Sequence, residues 1–368
     1  MVVYTSGGSS VHYGFEAVTA FGTPVLTNSN HLTTPKTFGL NTSVNNLTIG
    51  TNRIELAQLG QVEPTAYAYG QQAGTCSVGF TYDDTNSQDI FQSIYGAPSG
   101  DTSAWIYPSG STIPAEQGTS PAVINSLTVQ VDQELLGVHD YTNGTRNTTA
   151  TRLRRLLKGC VVTSLGISAS VGGTVEGSAE MVFGKEEVAT SDSAADTGNN
   201  AFVDQVAITG KPLTFAHGSF KLSDGTGLRT LGEIQSVNCS FGTNTNLLYE
   251  LGSHYSVDAF RQVFDITGSF NTTFKDLQHL HHLLNQASKS VNQDGVSDGT
   301  VKSTDIASGT DASVGAELAF TSGNKHITIS LSGVTFDSHA IDGLVPVQPV
   351  FETLPFKAKA ARVVTRTA

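Results

Sequence analysis

Three histidines crowd into Gln278-His279-Leu280-His281-His282, the first place a metal centre would be sought. On a helix His279 and His282 share a face at i, i+3, whereas His281 falls elsewhere. No Cys, Asp or Glu follows at ligand spacing, and a polar helix face opposite Leu277, Leu280, Leu283 and Leu284 accounts for the pattern. Asp84-x-Asn86-x-Gln88 opens like a calcium loop, but glycine is missing at the sixth position and an acid at the twelfth. Asp84 is better suited to capping a helix, and Asn292–Asp298 fails as a calcium loop in the same way. Arg152, Arg154, Arg155 and Lys158 form a basic run that suits a solvated turn between strands or, alternatively, a DNA or subunit contact. There is no nucleophile elbow, HExxH, P-loop or strand-borne GxGxxG, and no spacing marks a Ser-His-Asp triad. Cys76, Cys160 and Cys239 show no CxxC spacing and are expected to be buried thiols. The side chains therefore point to no enzyme, no cofactor and no metal.

Composition narrows the class further. At 368 residues the chain exceeds one comfortable core, so two domains are expected. Charged residues are 14% and hydrophobic ones 38%, with abundant Gly, Ser, Thr and Asn; this suits short strands and turns better than helical bundles. A net charge of −12 argues against a body that grips nucleic acid by its phosphates, but not against a surface that lets DNA pass. The opening Met1–Gly7 lacks the basic start and apolar run of a signal peptide. No apolar run reaches membrane-spanning length, so no membrane anchor is expected.

The elements that position these residues are written twice. Thr48–Asp84 returns without a gap as Ser240–Asp276, with ten identities over 37 residues at a constant offset of 192. Gly50-Thr51-Asn52 matches Gly242-Thr243-Asn244, Leu59-Gly60 matches Leu251-Gly252, and Thr75, Ser77, Thr81 and Asp84 match Thr267, Ser269, Thr273 and Asp276. A doubled fold implies symmetry, rings or stacking. The reading is an arm over 1–33, a domain over 34–185, a polar acidic linker over 186–204 and a second domain over 205–368. Each domain is expected to hold strands such as Asn46–Ile49, Cys76–Tyr82, Ser126–Gln133 and Cys160–Phe183 in the first, and Val237–Phe241, Phe264–Phe274, Ala312–Phe320, His326–Leu331 and Val345–Phe356 in the second. One short helix follows in each, burying Ile90, Phe91 and Ile94 in the first and the leucine stripe over Phe274–Ala287 in the second. Long loops, Gly96–Pro121 and Ser288–Thr310, come after the helices. The fold class is mostly β: a β-sandwich or half-barrel with one short α-helix per domain, duplicated in tandem.

The stretch Gly159-Cys160-Val161-Val162-Thr163-Ser164-Leu165-Gly166-Ile167-Ser168-Ala169 and its continuation Thr174–Lys185 resemble the strand pair of tail tube proteins from tailed bacterial or archaeal viruses. Tyr13-Gly14-Phe15-Glu16, Phe21-Gly22-Thr23-Pro24 and Thr37-Phe38-Gly39 are similar to that family's opening, and Phe264-Asp265-Ile266-Thr267-Gly268-Ser269-Phe270 to its strand before the helix. The resemblance implies a structural virion protein that polymerises as stacked rings into the tail tube through which the DNA genome passes. Because the chain is of double length, it implies homotrimeric rings with pseudo-six-fold symmetry, or a homohexamer if the second copy is an outward decoration. Implied partners are the chain itself and the terminator, baseplate and tape-measure proteins; genomic DNA would transit the lumen without specific binding. The implied location is the virion tail, assembled in the host cytoplasm.

Candidate inter-subunit contacts are Trp105, Ile106 and Tyr107 on the first long loop, where the only tryptophan could anchor a neighbour or fold back on its own domain. Lys357, Lys359, Arg362 and Arg366 near the C-terminus could meet an acidic neighbour or belong to a frayed tail. The alternative functions are a surface or secreted tandem β-sandwich that binds glycans or proteins, and a baseplate or terminator ring.

Overall fold

Apolar and polar residues alternate along most of the chain, and in β10 this alternation is nearly strict. There Val175, Gly177, Ala179, Met181 and Phe183 turn inward while Glu176, Ser178 and Glu180 face out. A computed structural model describes residues 10–16, 35–56, 66–101, 104–108, 125–135, 139–140, 145–146, 151–189, 210–223, 228–230, 234–261, 263–273, 314–338, 340–342 and 350–366. The fold is mostly β. The first half carries β1 (Ser10–Phe15), β2 (Leu40–Leu56), β3 (Ala66–Thr81), β4 (Ser99–Asp101), β5 (Ala104–Tyr107), β6 (Leu127–Leu135), β7 (His139–Asp140), β8 (Thr145–Arg146), β9 (Thr151–Ser170), β10 (Val175–Phe183) and β11 (Lys185–Ala189). The second carries β12 (Gly218–Ser223), β13 (Leu228–Thr230), β14 (Ile234–Gly242), β15 (Thr245–Tyr249), β16 (Ser256–Arg261), β17 (Asp265–Thr273), β18 (Val314–Ser322), β19 (Lys325–Phe336), β20 (Ala340–Asp342), β21 (Phe351–Ala358) and β22 (Ala360–Arg366).

One long antiparallel sheet runs β2–β3–β10–β9–β14–β17–β21, with β20 and the end of β19 on the far side of β21. Two cover sheets lie against it, β1–β6–β9–β11 and β12–β18–β19–β22. The layers meet through aromatic rings: Tyr13 to Phe38 at 4.6 Å and Phe38 to Phe80 at 5.9 Å under the first cover, Phe220 to Phe270 at 4.8 Å under the second. Burying each such side chain stabilises the fold by about 1.5–3 kcal/mol.

β9 and β19 each serve two sheets, and each bends at a glycine. Gly159 has φ 63° and Gly333 has φ 64°, a left-handed conformation that glycine adopts without the Cβ penalty. Before the bend each strand pairs in a cover sheet; beyond it, each joins the long sheet.

The two halves use the same set of partners. The pairings β1–β6, β2–β3, β6–β9, β9–β10, β3–β10 and β9–β11 have counterparts in β12–β18, β14–β17, β18–β19, β19–β21, β17–β21 and β19–β22. The register also corresponds at the offset seen in the sequence. Thr48 faces Thr75 as Ser240 faces Thr267, and Asn46 faces Ser77 as Asn238 faces Ser269.

Several local expectations need correction. Ser10–Phe15, expected within an arm, is a strand of the first cover sheet with Tyr13 fully buried. The helix expected after β3 forms as a 3₁₀ turn over Ser87–Phe91 followed by α1 (Gln92–Tyr95), burying Ile90, Phe91 and Ile94. Its entry is capped by Asp83 rather than Asp84: the Asp83 carboxylate accepts the backbone N–H groups of Thr85, Asn86 and Ser87. The loop after it is not featureless, because β4 and β5 form a hairpin there. The basic run lies on β9, not in a turn. The helix expected at 274–287, its histidines, the following loop and residues 190–204 of the linker lie outside the described residues, while residues 186–189 of that linker belong to β11.

Candidate assembly surface

The halves are joined by sheet continuation. β9 of the first half pairs with β14 of the second from Ser164–Gly242 to Ser170–Ser236. The seam is apolar on its inner side, where Leu165 faces Phe241 and Ile167 faces Cys239, all buried. Phe241 meets Phe91 at 6.2 Å edge-on and Tyr95 at 6.1 Å, which ties the second half to the helical segment of the first. The Thr243 hydroxyl donates to the Val162 carbonyl at 2.7 Å, and the Arg261 guanidinium to the Ile94 carbonyl at 2.5 Å. Arg261 is buried enough that desolvation lowers its pKa.

The opposite face of the long sheet is a hydroxyl and amide surface. Its central rows read Asn46–Ser77–Glu180–Ser164–Gly242–Asp265 and Ser178–Gly166–Ser240–Thr267–Lys357. A third row adds Glu176, Ser168, Asn238, Ser269 and Pro355. Strand alternation places all of these opposite the buried set that includes Cys76, Ala179, Ile167, Cys239 and Phe356. Across these rows the charges are three carboxylates and one ammonium.

The residues expected to contact neighbours are brought together within one chain. Val363 pairs with Tyr107, Val364 with Ile106, Thr365 with Trp105 and Arg366 with Ala104, so β5 extends the second cover sheet along β22. Tyr107 is fully buried, while Trp105 and Ile106 are half-buried and Trp105 packs against the core. Arg362 is half-buried on the same strand, and Lys357 and Lys359 are exposed. The segment from Phe356 to Arg366 is thus paired strand for most of its length, not a frayed tail.

The β15–β16 hairpin was not foreseen as a surface feature. It and its flanks expose Leu248, Leu251, Tyr255, Val257, Phe260 and Val263, most of the exposed large hydrophobics among the described residues. Its register repeats that of the distal β2–β3 hairpin, with Thr245 facing Arg261 as Arg53 faces Tyr69. The repeated Leu-Gly pair singled out Leu251-Gly252, between β15 and β16, without revealing that Leu251 is exposed; its counterpart Leu59-Gly60 lies outside the described residues.

The buried charges serve the fold. Lys158 meets Glu187 at 2.7 Å, Arg155 pairs with Glu186, and Arg154 lies 3.9 Å from Asp132. Burial alone would raise the Glu187 carboxyl, but Lys158 and Lys185 outweigh it and hold it below its ordinary range. The same balance lowers Asp84: burial opposes, while the Lys211 N–H, the Thr85 hydroxyl and Lys325 prevail. Glu16 accepts from Ser126, Thr128 and the Gly159 N–H, fixing the bend of β9. The three thiols are buried, and burial pushes Cys76 to about 11 and Cys239 to about 12 and raises Cys160. A raised thiol is a poor nucleophile and ligand at neutral pH. Among the described residues no group of His, Cys, Asp and Glu could hold a metal, and no helix is long and apolar enough to cross a membrane.

The site therefore offers strand edges, a polar sheet face and one apolar hairpin, which suit association better than chemistry. No curated protein matches the chain. A family model described as phage tail tube protein matches residues 7–356, nearly the whole length. With a mostly β architecture under that match, the chain belongs to the phage tail tube protein family, as a structural component of the virion tail.

Proposed function

We infer that three copies of this chain close a ring of six like units, that rings stack into a tube, and that the genome passes along the polar face of the long sheet. The observation that carries this reading is the β9–β14 seam, where two sheets of the same pairing scheme merge within one molecule. It supports a tandem duplication, with units over 34–185 and 205–368, a stretch over 1–33 docked on the first unit through β1, and a connection over 186–204 that leaves it through β11. A head-to-tail joint of that kind closes a ring when its rotation divides a full turn. Many sheet-bearing units then enclose a lumen.

The polar face supports passage of DNA. Duplex DNA carries a negative charge every ~1.7 Å, and a basic wall would hold it by counterion release. A wall of Ser, Thr, Asn and Gly, whose three carboxylates at Glu176, Glu180 and Asp265 outnumber the one ammonium of Lys357, gives it little to bind. The exposed apolar residues of the β15–β16 hairpin suit contacts between rings, since three chains would present three such hairpins. Lys359, Arg362 and Arg366, with the half-buried Trp105 and Ile106 on the paired strand β5, are further contacts to neighbours, and Tyr107 supports them from the core; Lys357, on the polar face, would face the lumen instead. Terminator, baseplate and tape-measure proteins are the other partners, and assembly takes place in the host cytoplasm. Negative-stain microscopy of the purified chain tests the reading: hollow tubes are expected. Persistent single chains would overturn it, and rings that never elongate would favour a terminator or baseplate role.

A further inference from the structure

The long sheet ends in two edges that are complementary by the molecule's own example. At one end β2 pairs only with β3, and at the other β20 pairs only with β21, among the described residues. β20 occupies the place that the second part of β9 holds in the first half. Gly166 faces Ser178 as Ala340 faces Thr353, and Val162 faces Met181 as Phe336 faces Phe356. The offset from β9 to β19 and β20 is constant at 174, from the bend at Gly159 and Gly333 to the pair Gly166 and Ala340. β2 in turn stands where β14 stands, 192 positions earlier. The seam that joins β9 to β14 inside the chain therefore has both of its halves repeated at the chain's two outer edges, each left open.

Resting on the ring reading above, we propose that β20 of one copy pairs antiparallel with β2 of the next, in the register of the internal seam. Transferring that register sets Ala340 opposite Thr48, Ile341 opposite Leu47 and Asp342 opposite Asn46, because Gly166 faces Ser240, Ile167 faces Cys239 and Ser168 faces Asn238. The side chains agree with this assignment. Ile341 is 40% exposed whereas its internal counterpart Ile167 is 2% exposed, so the isolated chain leaves uncovered a residue that the seam would bury. Leu47, its partner, is only half-buried, where its counterpart Cys239 is fully covered. Thr48 and Ala340 are both exposed and fall on the polar face, beside the row of hydroxyls that they would extend. A second copy is the occupant because the pairing supplies the backbone partners that open edges lack, in a register already realised once.

Paired cysteines test the joint. Under mild oxidation of assembled protein, Thr48→Cys with Ala340→Cys should convert nearly all single chains into a ladder that ends at three. The same-face pair displaced by two positions, Gly50→Cys with Ala340→Cys, should cross-link at least tenfold less. Ile341→Asp should abolish assembly while leaving the far-ultraviolet circular dichroism unchanged. The joint is overturned if the Thr48 and Ala340 pair stays uncrosslinked in preparations that form tubes, if the displaced pair links equally well, or if Ile341→Asp assembles normally. A ladder that ends at another number supports the joint and overturns the three-chain ring. Absence of any ring or tube from the unaltered chain counts against the tube reading itself, independently of these variants.

Discussion

Replacing Phe241 by Ala tests whether the two halves form one cooperative structure. The ring is fully buried on the seam strand β14 and touches Phe91 and Tyr95 of the first half. Its neighbours are strands and a capped helical turn, which have little freedom to collapse into the gap. A Phe→Ala change at such a site costs about 3–5 kcal/mol. With an m-value of about 3 kcal/mol/M, at the upper end for urea and suited to a chain of this size, the midpoint should fall by about 1–1.7 M. The assay is urea unfolding at protein concentrations below those of ring formation, followed by circular dichroism and by the fluorescence of Trp105, the single tryptophan. Trp105 sits on β5, where the first half pairs with β22 of the second, so its signal reports the other connection between the halves. Both probes should shift together. A midpoint change below about 0.3 M, or separate transitions for the two probes, would refute the shared core.

Gly268→Val should destabilise the chain by several kcal/mol, because a Cβ there would come within 2.4 Å of both the Asn238 carbonyl and the Phe356 ring; thermal unfolding measures it. Acid should weaken the fold through Asp84 and Glu187. Their folded pKa values are depressed, so their stabilisation is present above the unfolded values and is lost as pH falls through the lower folded ones. Asp84→Asn should reduce the slope of stability against pH below about pH 4, where unperturbed carboxylates titrate. Glu176→Lys with Glu180→Lys should leave tubes intact by microscopy but make them retain duplex DNA in a salt-dependent manner. Leu251→Asp with Phe260→Asp should leave rings and block their elongation, as sedimentation and microscopy would show.

How much of this was legible follows from the range of each interaction. The constant offset of 192 stood out because ladder partners such as Thr48 with Thr75 and Asn46 with Ser77 recur as Ser240 with Thr267 and Asn238 with Ser269, matching in register and side-chain type together. Alternation along β10 and the apolar stretch of β9 announced strands for the same local reason. The β5–β22 pairing left no such trace, since Trp105 and Thr365 carry no mutual pattern in the chain. Asp83 and Asp84 are adjacent acids before one helix, and spacing cannot decide which carboxylate turns back toward Thr85 and Asn86. Arg155 and Lys158 read as solvated because their partners, Glu186 and Glu187, lie on a strand that only folding brings alongside. The exposure of Leu251, in the turn between β15 and β16, and of Phe260 on β16 was hidden because an apolar residue is ordinarily read as core.

The pairing of β22 with β5 bears on when a subunit becomes competent. Val363 and Tyr107 are separated by 256 positions, so the β22–β5 pairing waits until both of these distant stretches have been synthesised. Until then Tyr107 and Val363 lack each other, and β20, which hangs on the neighbouring β21, has no finished platform. On the ring reading proposed above, β20 would offer its edge to a second copy only after that pairing has formed.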